Sequence, residues 1–120
     1  VATGMNPALA PRKLLFVCSM NQWRSPTAER LFTGVPGYQA RSAGTHEAAR
    51  VRVTAGLLGW ADAVFTMERR HSEILRERFA TALAGKELHC LDIPDTYHFM
   101  DAELVELLKA SLGLHGVELP

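Results

Sequence analysis

The fold is decided by residues 14–26, which read LLFVCSMNQWRSP. The first four residues form a short apolar run, the pattern of a parallel strand that is covered on both faces. The loop that follows begins at Cys18 and lies at the carboxyl end of the predicted sheet, where open α/β folds bind their ligands. Pro26 suits the first position of a helix, and Ser25 suits its N-cap. The stretch therefore predicts a strand, a loop and a helix N-terminus that together surround an anion.

The same loop carries the residue types that attack and hold a phosphate. Cys18 would react as a thiolate, and the positive end of the helix and Arg24 favour that form. The planar guanidinium of Arg24 can bind two phosphate oxygens at once, and Ser25 can hydrogen-bond the thiolate. We expect a cysteinyl-phosphate intermediate on Cys18. The expected phosphate-binding residues are Ser19, Met20, Asn21, Gln22, Trp23, Arg24 and Ser25.

The spacing of Cys18 and Arg24 is weak evidence by itself, because cysteine is often only a small buried apolar residue. Its significance comes from the apolar strand before it and the Ser25-Pro26 helix start after it. We therefore interpret Cys18 as a functional residue and not as a core residue.

The rest of the chain alternates between predicted strands and helices, which favours an α/β fold with a parallel sheet and helices on both faces. We expect one domain with four parallel strands and the phosphate-binding loop after the first. Further strands are predicted at residues 38–41, 63–67 and 88–91. Helices are predicted at residues 26–34, 51–58 and 68–79, and a last helix has Asp101 as its N-cap and a core stripe of Leu104, Leu107, Leu108 and Leu112.

Length and composition exclude several classes of protein. The chain has 120 residues, which suits one domain, and its formal net charge is zero, so nothing indicates a nucleic-acid partner or an acidic membrane. Its two cysteines show no metal-ligand spacing, and no apolar run is long enough to span a bilayer. We expect a flexible tail at residues 1–11, a domain at residues 12–120, a cytoplasmic location and neither metal nor cofactor.

Residues 18–26, followed by Thr27-Ala28-Glu29 and Ser42-Ala43-Gly44-Thr45, resemble the low-molecular-weight protein tyrosine phosphatases, in particular a short bacterial branch. The resemblance extends from about Lys13 to the last helix. It implies a small α/β domain and metal-independent, cysteine-dependent hydrolysis of phosphomonoesters. It also implies a role for each matching residue: Cys18 as nucleophile, Arg24 as phosphate ligand, Ser25 as thiolate partner, Asn21 in shaping the loop and Ser42 in supporting Asn21.

The chain departs from this family pattern at several positions of the loop, including Ser19 and Gln22, which stand where the family commonly has apolar pocket walls. Met20 stands where the family usually has glycine, so the loop conformation is expected to differ there. Trp23 stands where a second cysteine often forms a protective disulfide, which this chain therefore cannot form. We expect Trp23 to pack beneath the loop.

The leaving group of a phosphomonoester needs a proton, and a carboxylic acid beyond the carboxyl end of a strand can supply it. Asp92 and Asp95 both follow the predicted fourth strand. The family's acid is an aspartate followed by proline and an aromatic residue; Asp95 and Tyr97 match this pattern, with Thr96 in place of the proline. Asp95 is the favoured acid, Asp92 is the alternative, and Tyr97 is a candidate wall of the substrate pocket.

The sequence thus favours a protein tyrosine phosphatase that acts on a phosphotyrosine protein or a small aryl phosphate and is inhibited by phosphate or another oxyanion. Two alternatives remain. An oxidoreductase resembling arsenate reductase would need further cysteines, and only Cys90 is present besides Cys18. A non-catalytic phosphate-binding module would need Arg24 but neither Cys18 nor Asp95.

Overall fold

The computed structural model of the chain describes residues 10–119, and it shows a four-stranded parallel sheet with helices on both faces. The predicted fold class is therefore confirmed. Most of the predicted tail, residues 1–9, lies outside the described residues. The elements in chain order are β1 (Arg12–Cys18), α1 (Arg24–Leu31), β2 (Tyr38–Gly44), α2 (Ala55–Trp60), β3 (Ala63–Thr66), α3 (Arg69–Arg78), α4 (Ala80–Leu83), β4 (Glu87–Cys90) and α5 (Ala102–Leu114).

Strand β1 supplies side chains to both hydrophobic cores, because successive side chains of a strand point to opposite faces of the sheet. Leu14, Phe16 and Cys18 belong to one core, which α1 and α5 cover. Leu15 and Val17 belong to the other core, which α2 and α3 cover. Cys18 is therefore the last residue of a strand whose side chains are buried on both sides, and its position is fixed by the packing.

The order of the strands in the sheet, β2-β1-β3-β4, places the chemistry-bearing loops together. The chain leaves β1 for β2 on one side and later returns to β3 on the other side of β1. Such a reversal opens a crevice at the carboxyl ends of parallel strands. The loops after β1, β2, β3 and β4 all meet at this end of the sheet.

The predicted start of the first helix is wrong. Helix α1 begins at Arg24, with Trp23 as its N-cap, so Ser25 is the second helical residue and Pro26 the third. A proline is tolerated throughout the first turn, because the N–H groups there have no partner within the helix. Ser25 is consequently free to use its hydroxyl group for something other than capping.

Two further expectations need correction. The helix predicted at residues 51–58 begins only at Ala55, because residues 51–53 pair with the end of β2: the N–H of Gly44 donates to Val51, and the N–H of Val53 donates to Gly44. In α5, Leu107 is 37% exposed and not part of the core stripe, whereas Leu104, Leu108 and Leu112 are buried. The predicted N-cap of α5, Asp101, is confirmed, since its carboxylate accepts a hydrogen bond from the N–H of Glu103.

Among residues 10–119, no helix has the length and apolar character needed to cross a membrane. The same residues contain no cluster of three histidine, cysteine or acidic side chains arranged to hold a metal ion.

Gly44 provides a test of how β2 supports the loop after β1. A Cβ atom at this position would collide with the carbonyl oxygen of Ser19 and would lie 2.6 Å from the Cβ of Ala49. We expect Gly44→Ala to displace the loop and to weaken phosphate binding by at least about tenfold, measured by calorimetric titration. Gly59→Ala in α2 is the matched control, because nothing lies within 4 Å of its added Cβ. Unchanged phosphate affinity in Gly44→Ala would contradict this role of Gly44.

Candidate active site

A narrow cleft at the carboxyl end of the sheet brings most of the predicted site residues together. Its volume is about 50 Å³, the scale of one small anionic group rather than of a drug-sized molecule. The residues that line it are Cys18, Ser19, Met20, Gln22, Trp23, Arg24 and Asp95. The end of β1, the start of α1 and the loop after β4 therefore supply the cysteine, the arginine and the favoured acid to one space.

The loop from Cys18 to Asn21 is held by its carbonyl groups. The N–H groups of Thr45 and His46 donate to the carbonyls of Cys18 and Ser19, at 2.9 and 3.0 Å. Arg50 donates from its N–H to Met20 and from its Nε to Asn21, both at 3.0 Å. Four successive carbonyls thus point towards residues 45–50.

The orientation of these carbonyls determines where the amides of the loop point. The described residues contain no cis peptide bond, and in a trans peptide the C=O and the following N–H point in opposite directions. The N–H groups of residues 19–22 therefore point away from residues 45–50. Within the part of the chain that the structure describes, none of these N–H groups donates to a protein acceptor, so they form a set of free donors for an anion.

Asn21 organises the side chains around Cys18. It is fully buried, and its φ of 55° lies in the left-handed region, which asparagine tolerates better than most residues. Its Nδ2 donates to Ser25 Oγ at 2.8 Å and to Ser42 Oγ at 2.9 Å. Ser42 in turn donates to Glu29. Among the described residues, the Oδ1 atom of Asn21 has no hydrogen-bond partner, a cost that is consistent with a side chain needed for its two donors.

The hydroxyl group of Ser25 is directed at the cysteine. Its oxygen accepts from Asn21, so its proton must go to another group, and Cys18 Sγ lies 3.0 Å away. The other acceptor in reach, the carbonyl of Ala43, is 3.4 Å away. The Ser25 hydroxyl is therefore placed where it can donate a hydrogen bond to the sulfur of Cys18.

Arg24 is buried and held by two groups that the sequence did not reveal. Its Nη1 donates to Glu68 Oε2 at 2.5 Å and to the carbonyl of Ile93 at 2.9 Å. Partial burial opposes ionisation of Glu68, but hydrogen bonds from Arg70 and Arg24 hold its pKa at about 2. The carboxylate therefore stays charged and fixes the guanidinium at the cleft.

Ser19 is oriented by a histidine from α3. His71 is buried, and its Nδ1 accepts from the N–H of Glu68, so a neutral ring carries its proton on Nε2. That Nε2 lies 2.9 Å from Ser19 Oγ and donates to it. Burial and the positive charges of Arg24 and Arg70 lower the pKa of His71 to about 4, so the ring is neutral at physiological pH. The hydroxyl proton of Ser19 is thereby left for an acceptor other than His71.

The two candidate acids differ in position. Asp95 lines the cleft, is half exposed, and has its Oδ1 3.5 Å from the Nε of Arg24. Asp92 has a left-handed backbone, with a φ of 56°, and accepts from the thiol of Cys90 at 3.4 Å. It is not among the residues that line the cleft. Asp95 therefore lies at the cleft beside Arg24, whereas Asp92 belongs to the turn that follows β4.

The mouth of the cleft differs from the sequence expectations. Trp23 does not pack beneath the loop: it is 40% exposed, lines the cleft and meets the ring of His98 edge-on at 4.7 Å between centroids. Tyr97, the candidate pocket wall, instead packs against the core that α1 and α5 cover. Met20 keeps an ordinary backbone conformation, since the positive φ values in this loop are confined to Asn21.

Sequence reasoning missed four side chains that hold the site, those of Glu29, Arg50, Glu68 and His71, as well as the carbonyl of Ile93. Of these four, only Glu29 belongs to the family motif quoted above, and the motif by itself gives Glu29 no role. Glu68 and His71 form a capping box at the start of α3, a local pattern that the sequence does show. Their contacts with Arg24 and Ser19 join distant parts of the chain, so no spacing reveals them.

Comparison with known proteins identifies the fold. No protein-family model matches the sequence, and no curated protein does so either. Several solved structures match closely in shape. The YwlE arginine phosphatase from Geobacillus stearothermophilus has a TM-score of 0.68 at 24% identity, over 88% of this chain and 94% of that chain.

Two further structures are similar in the same way. The tyrosine phosphatase Wzb from Escherichia coli K30, solved with phosphate, has a TM-score of 0.69 at 22% identity, over 87% of this chain and 95% of that one. SP-PTP, a low-molecular-weight protein tyrosine phosphatase from Streptococcus pyogenes, has a TM-score of 0.69 at 16% identity, over 87% of this chain and 90% of that chain. The chain therefore has the fold of the low-molecular-weight protein tyrosine phosphatases, which confirms the resemblance at the level of the fold.

The buried His71 predicts a pH dependence of stability. In the unfolded chain it binds a proton near pH 6.5, but in the folded protein only near pH 4. The unfolded state therefore binds more protons in this interval, and stability falls as the pH falls. From pH 7 to 4.5, where Glu68 stays ionised, the wild type should lose about 2 kcal/mol more unfolding free energy than His71→Gln.

The comparison is made by urea unfolding at each pH. His71→Gln is the suitable variant because its amide can still donate to Ser19 but does not titrate. Parallel curves of unfolding free energy against pH for the two proteins would show that His71 is not buried in its neutral form.

Proposed function

We propose that the protein is a cysteine-dependent phosphomonoester hydrolase in which Cys18 forms a cysteinyl-phosphate intermediate. The observation that carries this proposal is the hydrogen bond of 3.0 Å between Ser25 Oγ and Cys18 Sγ, in a cleft that Cys18 lines together with Arg24 and Asp95. An activated nucleophile, an anion-binding guanidinium and an acid in one small cleft are the parts that phosphoryl transfer through cysteine requires.

The first step transfers the phosphoryl group to sulfur. The thiolate of Cys18 attacks phosphorus while the bond from phosphorus to the leaving oxygen breaks, and Asp95 gives its proton to that oxygen. Arg24 and the free amides of residues 19–22 hold the equatorial oxygens. A bound dianion also competes with the Asp95 carboxylate for Arg24, whose Nε lies 3.5 Å from Asp95 Oδ1 in the resting protein.

The second step returns the enzyme to its resting state. Asp95, now a carboxylate, takes a proton from a water molecule, whose oxygen attacks phosphorus while the bond from phosphorus to sulfur breaks. Ser25 donates its hydrogen bond to the departing thiolate. Inorganic phosphate is released, and no external oxidant or reductant is needed.

The preferred substrate that we propose is a phosphotyrosine protein or a small aryl phosphate. The support is the exposed ring of Trp23 at the mouth of the cleft, which offers a flat apolar surface to an aromatic leaving group. Because one similar structure is an arginine phosphatase, the direct test is turnover of matched peptides that carry phosphotyrosine, phosphoserine, phosphothreonine or phosphoarginine. Preferential turnover of phosphoarginine, whose phosphorus is bonded to nitrogen, would overturn both the aryl preference and the phosphomonoester class but not the attack by Cys18.

The geometry supports hydrolysis over the two alternatives. Burial raises the pKa of the Cys90 thiol, which makes it a poor second thiol for an arsenate reductase. A non-catalytic phosphate-binding module would have no need of the hydrogen bond to Cys18 or of Asp95 at the cleft.

Removing the nucleophile or the guanidinium tests the first step. Cys18→Ser should abolish turnover of p-nitrophenyl phosphate while phosphate still binds, because the alcohol is a poor nucleophile and the amides remain. Arg24→Lys should lower kcat/KM by about 10²–10³-fold, because an ammonium cannot bind two oxygens in one plane. Steady-state kinetics and phosphate titration measure both effects. Substantial turnover by Cys18→Ser would remove Cys18 from the mechanism.

The role of Asp95 as the acid is tested by comparing the loss of kcat in a variant on substrates with poor and with good leaving groups. Asp95→Asn should lower kcat for phosphotyrosine by at least about 10²-fold, because its phenolate leaves poorly without a proton. The loss should be smaller for p-nitrophenyl phosphate, whose leaving group is already stable. Asp92→Asn is the matched variant and should affect both substrates alike, through the order of the turn. If the leaving-group dependence appears in Asp92→Asn instead, the two assignments are reversed.

A further inference from the structure

A second groove opens beside the cleft and is continuous with it. Ser19, Met20 and Asp95 line both spaces, and the groove has a volume of about 490 Å³. Its walls come from the segment after β2 and from α3. We call it the arginine groove, because Arg52, Arg70 and Arg78 line it.

The arginine groove carries more positive than negative charge. Its three arginines face two carboxylates, those of Glu47 and Asp95, and Asp95 also lies 3.5 Å from Arg24 of the neighbouring cleft. Arg70 is paired with Glu68 at 3.0 Å, but Arg52 and Arg78 form no ion pair with any residue that the structure describes. Since the whole chain has zero formal net charge, this surplus is a local feature.

The spacing of the arginines on α3 sets a length scale. Arg70 and Arg78 are eight residues apart and flank Ile74 on the same face of the helix, which places them about 12 Å apart along its axis. Arg70 lies nearer the cleft, because the carboxylate of Glu68 contacts both Arg70 and Arg24, which lines the cleft. An extended polypeptide covers this distance in about three to four residues.

We propose that the arginine groove binds an anionic side chain of the substrate polypeptide, two to four positions from the phosphorylated residue in the cleft. This inference rests on the proposed phosphatase function and narrows its substrates to acidic segments. The shared chemistry is an oxyanion held by a guanidinium, which binds two oxygens in one plane. A glutamate or aspartate carboxylate and a second phosphorylated residue both supply that group.

The test measures binding of three peptides that carry a non-hydrolysable phosphonate analogue of phosphotyrosine. The first peptide has only neutral residues beside the analogue. The second has glutamates two to four residues before and after the analogue, and the third has a second phosphotyrosine in that range. At low salt, the glutamate peptide or the doubly phosphorylated peptide should bind at least about tenfold more tightly than the neutral one. If the glutamate peptide gains more affinity, the groove prefers a carboxylate; if the doubly phosphorylated peptide gains more, the groove prefers a second phosphate. Equal affinity for all three peptides would overturn the proposal.

Charge reversal in the groove provides the second readout. Arg78→Glu and Arg52→Glu should each remove most of the preference for the anionic peptides. Arg76→Glu is the matched control, because Arg76 is exposed on the same helix but does not line the groove. The two substituted arginines, Arg52 and Arg78, are exposed, and thermal unfolding will check that the variants fold. An equal loss of preference in Arg76→Glu would show a general charge effect and would also overturn the proposal.

The binding experiment is independent of catalysis. If wild-type protein does not hydrolyse p-nitrophenyl phosphate but still prefers the anionic peptides, the hydrolase proposal fails and the groove proposal stands. If hydrolysis is efficient but the three peptides bind equally, only the groove proposal fails.

Discussion

The candidate site depends on the orientation of four successive peptide planes between Cys18 and Gln22. Residues 45–50 hold the carbonyl groups of these planes, and the amides consequently face the other way, where an anion can bind. The absence of a side chain at Gly44 permits this close approach. Because the donors are fixed before any substrate arrives, binding a phosphate requires little rearrangement, which is the condition for strong electrostatic stabilisation of a transition state.

The guanidinium of Arg24 is also held in place by its neighbours before any substrate binds. Arg24 is almost fully buried, and a buried guanidinium is stable only with partners that compensate for its lost hydration. Glu68 and the carbonyl of Ile93 provide that compensation and leave Nε directed towards Asp95. Glu68 also caps α3 and accepts from Arg70. The same carboxylate therefore connects the phosphate-binding loop to the helix that bears the arginine groove.

The sequence was sufficient for the fold class, because the apolar strand and the alternation of strands and helices are local patterns. The support of Asn21 by Ser42 was expected only from the family resemblance, and the hydrogen bond of Asn21 to Ser25 was not expected. The sequence placed the start of α1 two residues too late, since a proline fits anywhere in the first helical turn. It also could not reveal that Trp23 lies at the mouth of the cleft, because the side of a loop that a ring occupies depends on its neighbours in space. For the same reason, no sequence pattern linked Ser19 to His71, which lies 52 residues away.

The central claim is that phosphoryl transfer passes through Cys18. It is tested most directly by quenching turnover of p-nitrophenyl phosphate in acid within the first catalytic cycle and locating the phosphoryl group by peptide mass spectrometry. The account predicts one phosphoryl group per protein molecule, attached to the sulfur of Cys18 and absent when substrate is omitted. A phosphoryl group on another residue, or a burst of p-nitrophenol with no phosphorylated Cys18, would contradict it.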